Sequence, residues 1–106
     1  MKEAVTALSA LAHESRLSVY RLLVTVGPEG IAAGVIADTL HLPPATLSFH
    51  LKELSRAGLA LSRQDGRYVI YSANFGNALK LVNYLTENCC GGKSRLPECV
   101  PAAETP

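Results

Sequence analysis

The feature that most constrains the fold is a proline pair set between two amphipathic stretches and followed at short range by an Asp-Gly turn. His41-Leu42-Pro43-Pro44 cannot continue a helix, yet a proline suits the first turn of the next one. Before the break, residues 31–41 place Ile31, Val35, Ile36 and Leu40 at helical spacing. After it, residues 44–57 place Leu47, Leu51 and Leu54 on one face, with Gly58 where a helix stops. Leu59–Arg63 and Tyr68–Ser72 then read as two strands around Gln64-Asp65-Gly66-Arg67, where Asp-Gly is a strong tight-turn signal. Helix, tight turn, helix and two-stranded ribbon, in that order, is the layout of a winged helix-turn-helix.

The flanking segments are helical as well. Leu8, Leu11, Ala12, Leu17, Tyr20 and Leu23 recur at helical spacing, interrupted near Ser15 and ended by Gly27-Pro28, which predicts helices over 2–11 and 14–26. A last helix over 74–88 carries Phe75, Leu79, Val82 and Leu85 or Tyr84 along one stripe. The expected fold is mainly α with a small β-hairpin. One DNA-binding and dimerisation domain spans residues 1–88, and a flexible tail rich in Gly, Pro and small residues spans 89–106. A domain of this size buries a limited share of its surface and often gains stability as a homodimer. No apolar run approaches the ~20 residues of a membrane-spanning helix. Glu3, His13, Glu14 and Arg16 break any leader-like stretch, so a cytoplasmic protein without a membrane partner is expected.

The net charge of +1 hides an uneven distribution. Residues 41–72 carry Lys52, Arg56, Arg63 and Arg67 against Glu53 and Asp65, whereas the flanking thirds are balanced or slightly acidic. Any phosphate-facing surface therefore lies in the middle of the chain. In a helix-turn-helix the second helix enters the major groove, and its N-terminal side chains reach base edges. The candidate contacts to double-stranded operator DNA are Ala45, Thr46, Ser48, His50, Lys52 and Arg56 on that helix. Arg63, Gln64 and Arg67 join them at the ribbon tip. Phe49 is read as partly inward and is not among them.

The chain holds three cysteines, Cys89, Cys90 and Cys99, all in its last fifth. In a reducing compartment they are expected as free thiols, and an odd count argues against a closed disulfide framework. Structural zinc wants four tetrahedral ligands, whereas trivalent arsenic or antimony, with a lone pair, favours three sulfurs in a pyramid. Two other chemistries stay open: a cadmium- or zinc-type site completed by Glu87 or Glu98, and a redox switch pairing Cys89 or Cys90 with Cys99. Cys89 and Arg95 also have the Cys-x5-Arg spacing of phosphatase and arsenate reductase loops. That chemistry needs a loop between strand and helix to hold the oxyanion on backbone N–H groups. Here the motif follows a helix, and a non-enzyme is expected.

Leu11-Ala12-His13-Glu14-Ser15-Arg16-Leu17, Thr46-Leu47-Ser48-Phe49-His50-Leu51-Lys52-Glu53-Leu54, Ala57-Gly58-Leu59 and Gly66-Arg67-Tyr68-Val69-Ile70-Tyr71 together resemble the ArsR/SmtB family of metal- and metalloid-responsive repressors. The resemblance covers residues 1–88. It implies a homodimer through the first and last helices, Thr46–Leu54 as recognition helix and Gln64–Arg67 as wing tip. It also implies release of operator DNA on binding a metal or metalloid. Two of the family's sensor sites have no match: Ile31–Leu40 holds no thiol, and residues 74–88 hold Glu87 but no histidine. The expected inducer is As(III) or Sb(III), bound by Cys89, Cys90 and Cys99 with no organic cofactor.

Overall fold

Apolar spacing governs where the helices form. The computed structural model describes residues 1–92, which run α1 (Lys2–Leu11), α2 (Glu14–Val26), β1 (Ile31–Ala32), α3 (Ala33–Leu40), α4 (Pro44–Arg56), β2 (Ala60–Asp65), β3 (Tyr68–Ala73) and α5 (Phe75–Thr86). A short 3-10 turn, Cys89–Gly92, follows. Five helices around a small antiparallel sheet make a winged helix-turn-helix, as the proline break and the Asp-Gly turn implied.

β2 runs Ala60–Asp65 rather than Leu59–Arg63 and α5 stops at Thr86, but the largest difference from the expected pattern lies at the start of α3. The helix anticipated over 31–41 begins only at Ala33, because Ile31 and Ala32 pair with Tyr71 and Ile70 of β3. The sheet is therefore three-stranded in the order β1-β3-β2. Two residues are too few to show an alternating period, so this strand left no sequence signal. Gly30 makes the pairing possible. Its φ is +79°, and a Cβ there would lie 2.7 Å from both the Ile70 Cγ2 and the Tyr71 carbonyl oxygen. Once Ile31 belongs to the sheet, α3 turns its Ile36 and Ala37 inward and leaves Val35 exposed.

The core lies where α2, α3 and α4 meet the sheet. Val19, Leu23, Ile36, Leu47, Leu51, Leu54 and Leu59 are all 2% exposed or less, with Ala7 and Ala10 of α1 closing one side. Burying a side chain of this type stabilises by about 1.5–3 kcal/mol, so this cluster supplies most of the hydrophobic drive to fold.

α5 is attached more lightly, by Phe75 and Leu81 packed half-buried against the core and by polar contacts at its start. Asn74 caps it, its Oδ1 accepting from the Asn77 backbone N–H at 3.2 Å. The Asn77 Nδ2 donates to the Gly58 carbonyl at 2.8 Å, and the Asn74 N–H donates to the Leu59 carbonyl at 2.9 Å. α5 thus hangs from the turn that ends α4. It contributes no fully buried residue, and Leu79, Val82 and Leu85 are each more than half exposed. An open groove of about 440 Å³ separates it from α1 and the end of α4, lined by Ala4, Ala7, Leu59, Leu81 and Tyr84 among others.

Candidate nucleic-acid interface and thiol site

The turn between α3 and α4 is short and well defined. His41 ends α3 in the left-handed region at φ +55°, and the Leu42 N–H donates back to the Ala37 carbonyl. Pro43 then caps α4 in an extended conformation and Pro44 opens it, a position where a missing N–H costs nothing. Leu47, His50, Leu51 and Leu54 form the buried face of α4. On the opposite side Ala45, Phe49, Lys52 and Arg56 follow one another at steps of four, three and four residues. That makes one straight exposed stripe, with Thr46 and Ser48 on its flanks. Ala45, Thr46, Ser48, Lys52 and Arg56 are all exposed, as a DNA-facing surface requires. Arg56 also pairs with Glu53 at 3.4 Å, an exposed contact of small energetic weight.

His50 does not belong with them. It is 4% exposed and faces the core, so the expectation that it meets DNA is corrected. Its Nδ1 accepts a hydrogen bond from the Arg16 Nε at 3.4 Å, and the His13 ring lies 5.0 Å away. Burial first, then the positive charge of Arg16, then His13, push the His50 pKa below its ordinary value. The signal was present in the sequence. His50 stands three residues after Leu47 and four before Leu54, inside the apolar arc. The converse correction concerns Phe49, which is 55% exposed rather than partly inward, with the Arg16 guanidinium 5.5 Å from its ring centroid. Arg16 also donates through Nη1 to the Ala10 carbonyl at 3.3 Å, so one side chain ties the α1–α2 corner to α4.

In the ribbon, Asp65 pairs with Tyr68 and the chain turns through Gly66 and Arg67. The three expected tip residues are all exposed but differently occupied. Arg63 Nη2 donates to the Glu29 carbonyl at 2.8 Å, which fastens the base of the ribbon to the loop before β1. Gln64 Nε2 donates to the Gly66 carbonyl at 3.2 Å and closes its own turn. Arg67 is left at the tip, pointing its charge outward.

After α5 the backbone reverses through left-handed positions at Asn88 (φ +59°), Cys90 (φ +57°) and Gly91 (φ +71°). The Cys89 and Cys90 sulfurs lie 3.6 Å apart, with Cys89 half-buried and Cys90 exposed; Cys89 is a free thiol, whereas Cys90 is disulfide-bonded, which corrects the expectation of free thiols throughout. Cys99 lies outside the described residues. Among the described residues no three His, Cys, Asp or Glu side chains gather as a metal site. No helix of the described residues is long and apolar enough to cross a membrane.

A family model described as a helix-turn-helix domain matches residues 11–63, half of the chain. The putative arsenical resistance operon repressor ArsR of Halobacterium salinarum is 34% identical over 76 residues, 71% of this chain and 58% of that protein. The crystal structure of NolR from Sinorhizobium fredii is 31% identical, covers 85% of this chain and 86% of its own, and superposes with a TM-score of 0.65. The chain belongs to the ArsR-like winged helix-turn-helix family. An ArsR-like transcriptional regulator from Rhodococcus sp. RHA1 matches 99% of this chain and 96% of its own at 25% identity, with a TM-score of 0.75. This chain spans between 57% and 63% of the length of the first curated relatives it matches. The family model runs from the end of α1 into β2 and so takes in the whole α3–α4 unit. It stops short of α5 and the thiols. The cysteines of this ArsR-like chain therefore lie beyond the matched segment.

Proposed function

We propose that this protein is a transcriptional repressor that binds operator DNA as a homodimer and lets go when trivalent arsenic or antimony is captured by its tail thiols. The observation that carries the DNA-binding part is the straight exposed stripe of α4, backed by a fully buried opposite face. Ala45, Thr46 and Ser48 stand at the end that enters the groove, and Lys52 and Arg56 stand where phosphates pass. Arg67 at the wing tip adds a third phosphate contact per subunit. Six such contacts in a dimer predict a log–log salt slope of about −5. Operator sites then lie on one face of the duplex about one turn, or ~34 Å, apart.

Dimerisation follows from α5. A helix with Leu79, Val82 and Leu85 in water is unfinished in the monomer, and Val5 and Leu8 of α1 extend the apolar surface beside it. A second copy completes both.

In the sensor part Cys89, Cys90 and Cys99 hold the ion as thiolates once Cys90, disulfide-bonded in the structure, has been reduced by cellular thiols; the Cys89 and Cys90 sulfurs lie 3.6 Å apart. Capture at the end of α5 reaches α4 through the Asn77 bond to Gly58 and the Asn74 bond to Leu59, which tie the start of α5 to the turn that ends the recognition helix. A coupling of about 1–3 kcal/mol weakens operator binding about 5- to 150-fold. The test is release of a bound operator duplex titrated with arsenite, antimonite, cadmium, zinc and peroxide, on wild type and on a variant with Cys89, Cys90 and Cys99 all changed to serine. Release by arsenite or antimonite in wild type, with DNA binding intact but unresponsive in the variant, supports the reading. Release by peroxide alone assigns the thiols to redox sensing, and an unchanged response in the variant removes them as the sensor.

A further inference from the structure

We infer that Phe49 is the residue that determines operator sequence, by laying its ring against the C5-methyl of a thymine in the major groove. The inference rests on the DNA-binding reading of α4 above. Isolated exposed apolar side chains are ordinary and need no explanation. Phe49 differs in where it stands. It follows Ala45 by one turn and precedes Lys52 and Arg56 on the stripe opposite Leu47, His50, Leu51 and Leu54, so it occupies the middle of the face that a groove would cover. It lies in the first half of α4, the half that reaches base edges rather than phosphates.

Ala45 and the Thr46 methyl can also touch a thymine methyl, but with far less surface than a ring. Thr46 and Ser48 hydroxyls both donate and accept, so they pair with either partner of a base pair and distinguish poorly. His50 is buried. Lys52 and Arg56 lie one and two turns further on, where they meet backbone charge. An apolar ring in the major groove has one matching feature among the four base edges, the thymine methyl group. The ring is also held in place. The Arg16 guanidinium covers it at 5.5 Å from the centroid while its Nε is engaged by His50 and its Nη1 by Ala10. The residue nevertheless remains 55% exposed, which leaves ring surface for a base to cover.

The experiment begins with a duplex selected from a random pool by the wild-type protein. Each thymine is then replaced singly by deoxyuridine, which removes only the 5-methyl group, and affinity is read by fluorescence anisotropy. At one thymine in each half-site the replacement should weaken wild-type binding about fourfold, the weight of one buried methyl. Phe49→Ala should bind the unmodified duplex more weakly and lose that difference, while Phe49→Leu keeps part of it. Lys52→Ala should lose affinity and part of its salt dependence yet retain the full uracil effect. Tight wild-type binding that is indifferent to every thymine, or a uracil effect that survives in Phe49→Ala, overturns the assignment. Failure of the wild type to enrich any duplex removes the DNA-binding reading itself and this inference with it.

Discussion

α4 and α5 are helices of nearly equal length, yet α4 is finished inside the chain and the more apolar α5 is not. α4 buries four side chains in the core and shows solvent a stripe of small, aromatic and basic residues. α5 buries none completely, is fixed at its N-terminal end through Asn74 and Asn77, and turns Leu79, Val82 and Leu85 outward. The difference separates two jobs. A helix that must present a fixed set of side chains to DNA is held rigid by its own domain. Under the function proposed above, α5 answers a signal and meets another subunit, and it is held more lightly, by Phe75 and Leu81 on the core, by hydrogen bonds at its start, and by an outer apolar face left for association.

The contrast is broken most directly by truncating one residue on each helix. Leu54→Ala removes a completely buried side chain from the centre of the core and should cost about 2–5 kcal/mol in urea unfolding. Because Leu54 is surrounded by its own chain, that loss should stay the same over about a hundredfold range of protein concentration. An effect of Leu54→Ala below about 1 kcal/mol would mean that α4 is not the rigid member of the pair.

The second test acts on the outer face of α5. Leu85 is 57% exposed in the single chain, so Leu85→Glu disturbs little within it. Placed in a subunit interface, the same carboxylate is desolvated against apolar partners and opposes association. Sedimentation velocity should show a dimer for wild type and a monomer with unchanged far-ultraviolet circular dichroism for Leu85→Glu. Operator binding should then weaken sharply, since one half-site holds a monomer with half the phosphate contacts. A Leu85→Glu protein that remains dimeric would place the subunit contact elsewhere.

How much of this was legible in the sequence follows the same division. α1, α2 and α4 stand where apolar periodicity and prolines put them, because buried side chains at helical spacing leave a pattern. The ribbon was legible through Asp65-Gly66. β1 was not, since Ile31-Ala32 joins the sheet through a close approach at Gly30 that only three-dimensional proximity reveals. For the DNA face, residue type misled where position would have informed. His50 looked like a base reader and is core, while Phe49 looked partly inward and is exposed. Their places on the helix wheel already separated them. The stripe on α5 was legible as a stripe, but a single sequence does not say whether such a face meets its own domain or a second copy.

The smallest expected effect concerns His50, the polar member of the finished helix. Neutral His50 accepts from the Arg16 Nε through Nδ1; a proton on that nitrogen sets N–H against N–H and adds a charge beside Arg16. Burial, Arg16 and His13 therefore all lower its pKa in the folded protein, whereas the unfolded chain keeps the ordinary value of about 6.5. Between the two values the unfolded state binds more protons, so stability rises with pH across that window. Read downward, stability should begin to fall below about pH 6.5 and level off once the folded His50 also takes a proton. Urea unfolding between about pH 7.5 and pH 5 measures the slope. His50→Gln keeps an acceptor for Arg16 without a titrating group and should flatten the slope, while His13→Asn on the exposed neighbour should leave most of it. The opposite result, a slope that survives in His50→Gln, would show that His50 is not the group behind it. It would also show that the buried face of α4 is less closed to protons than its packing implies.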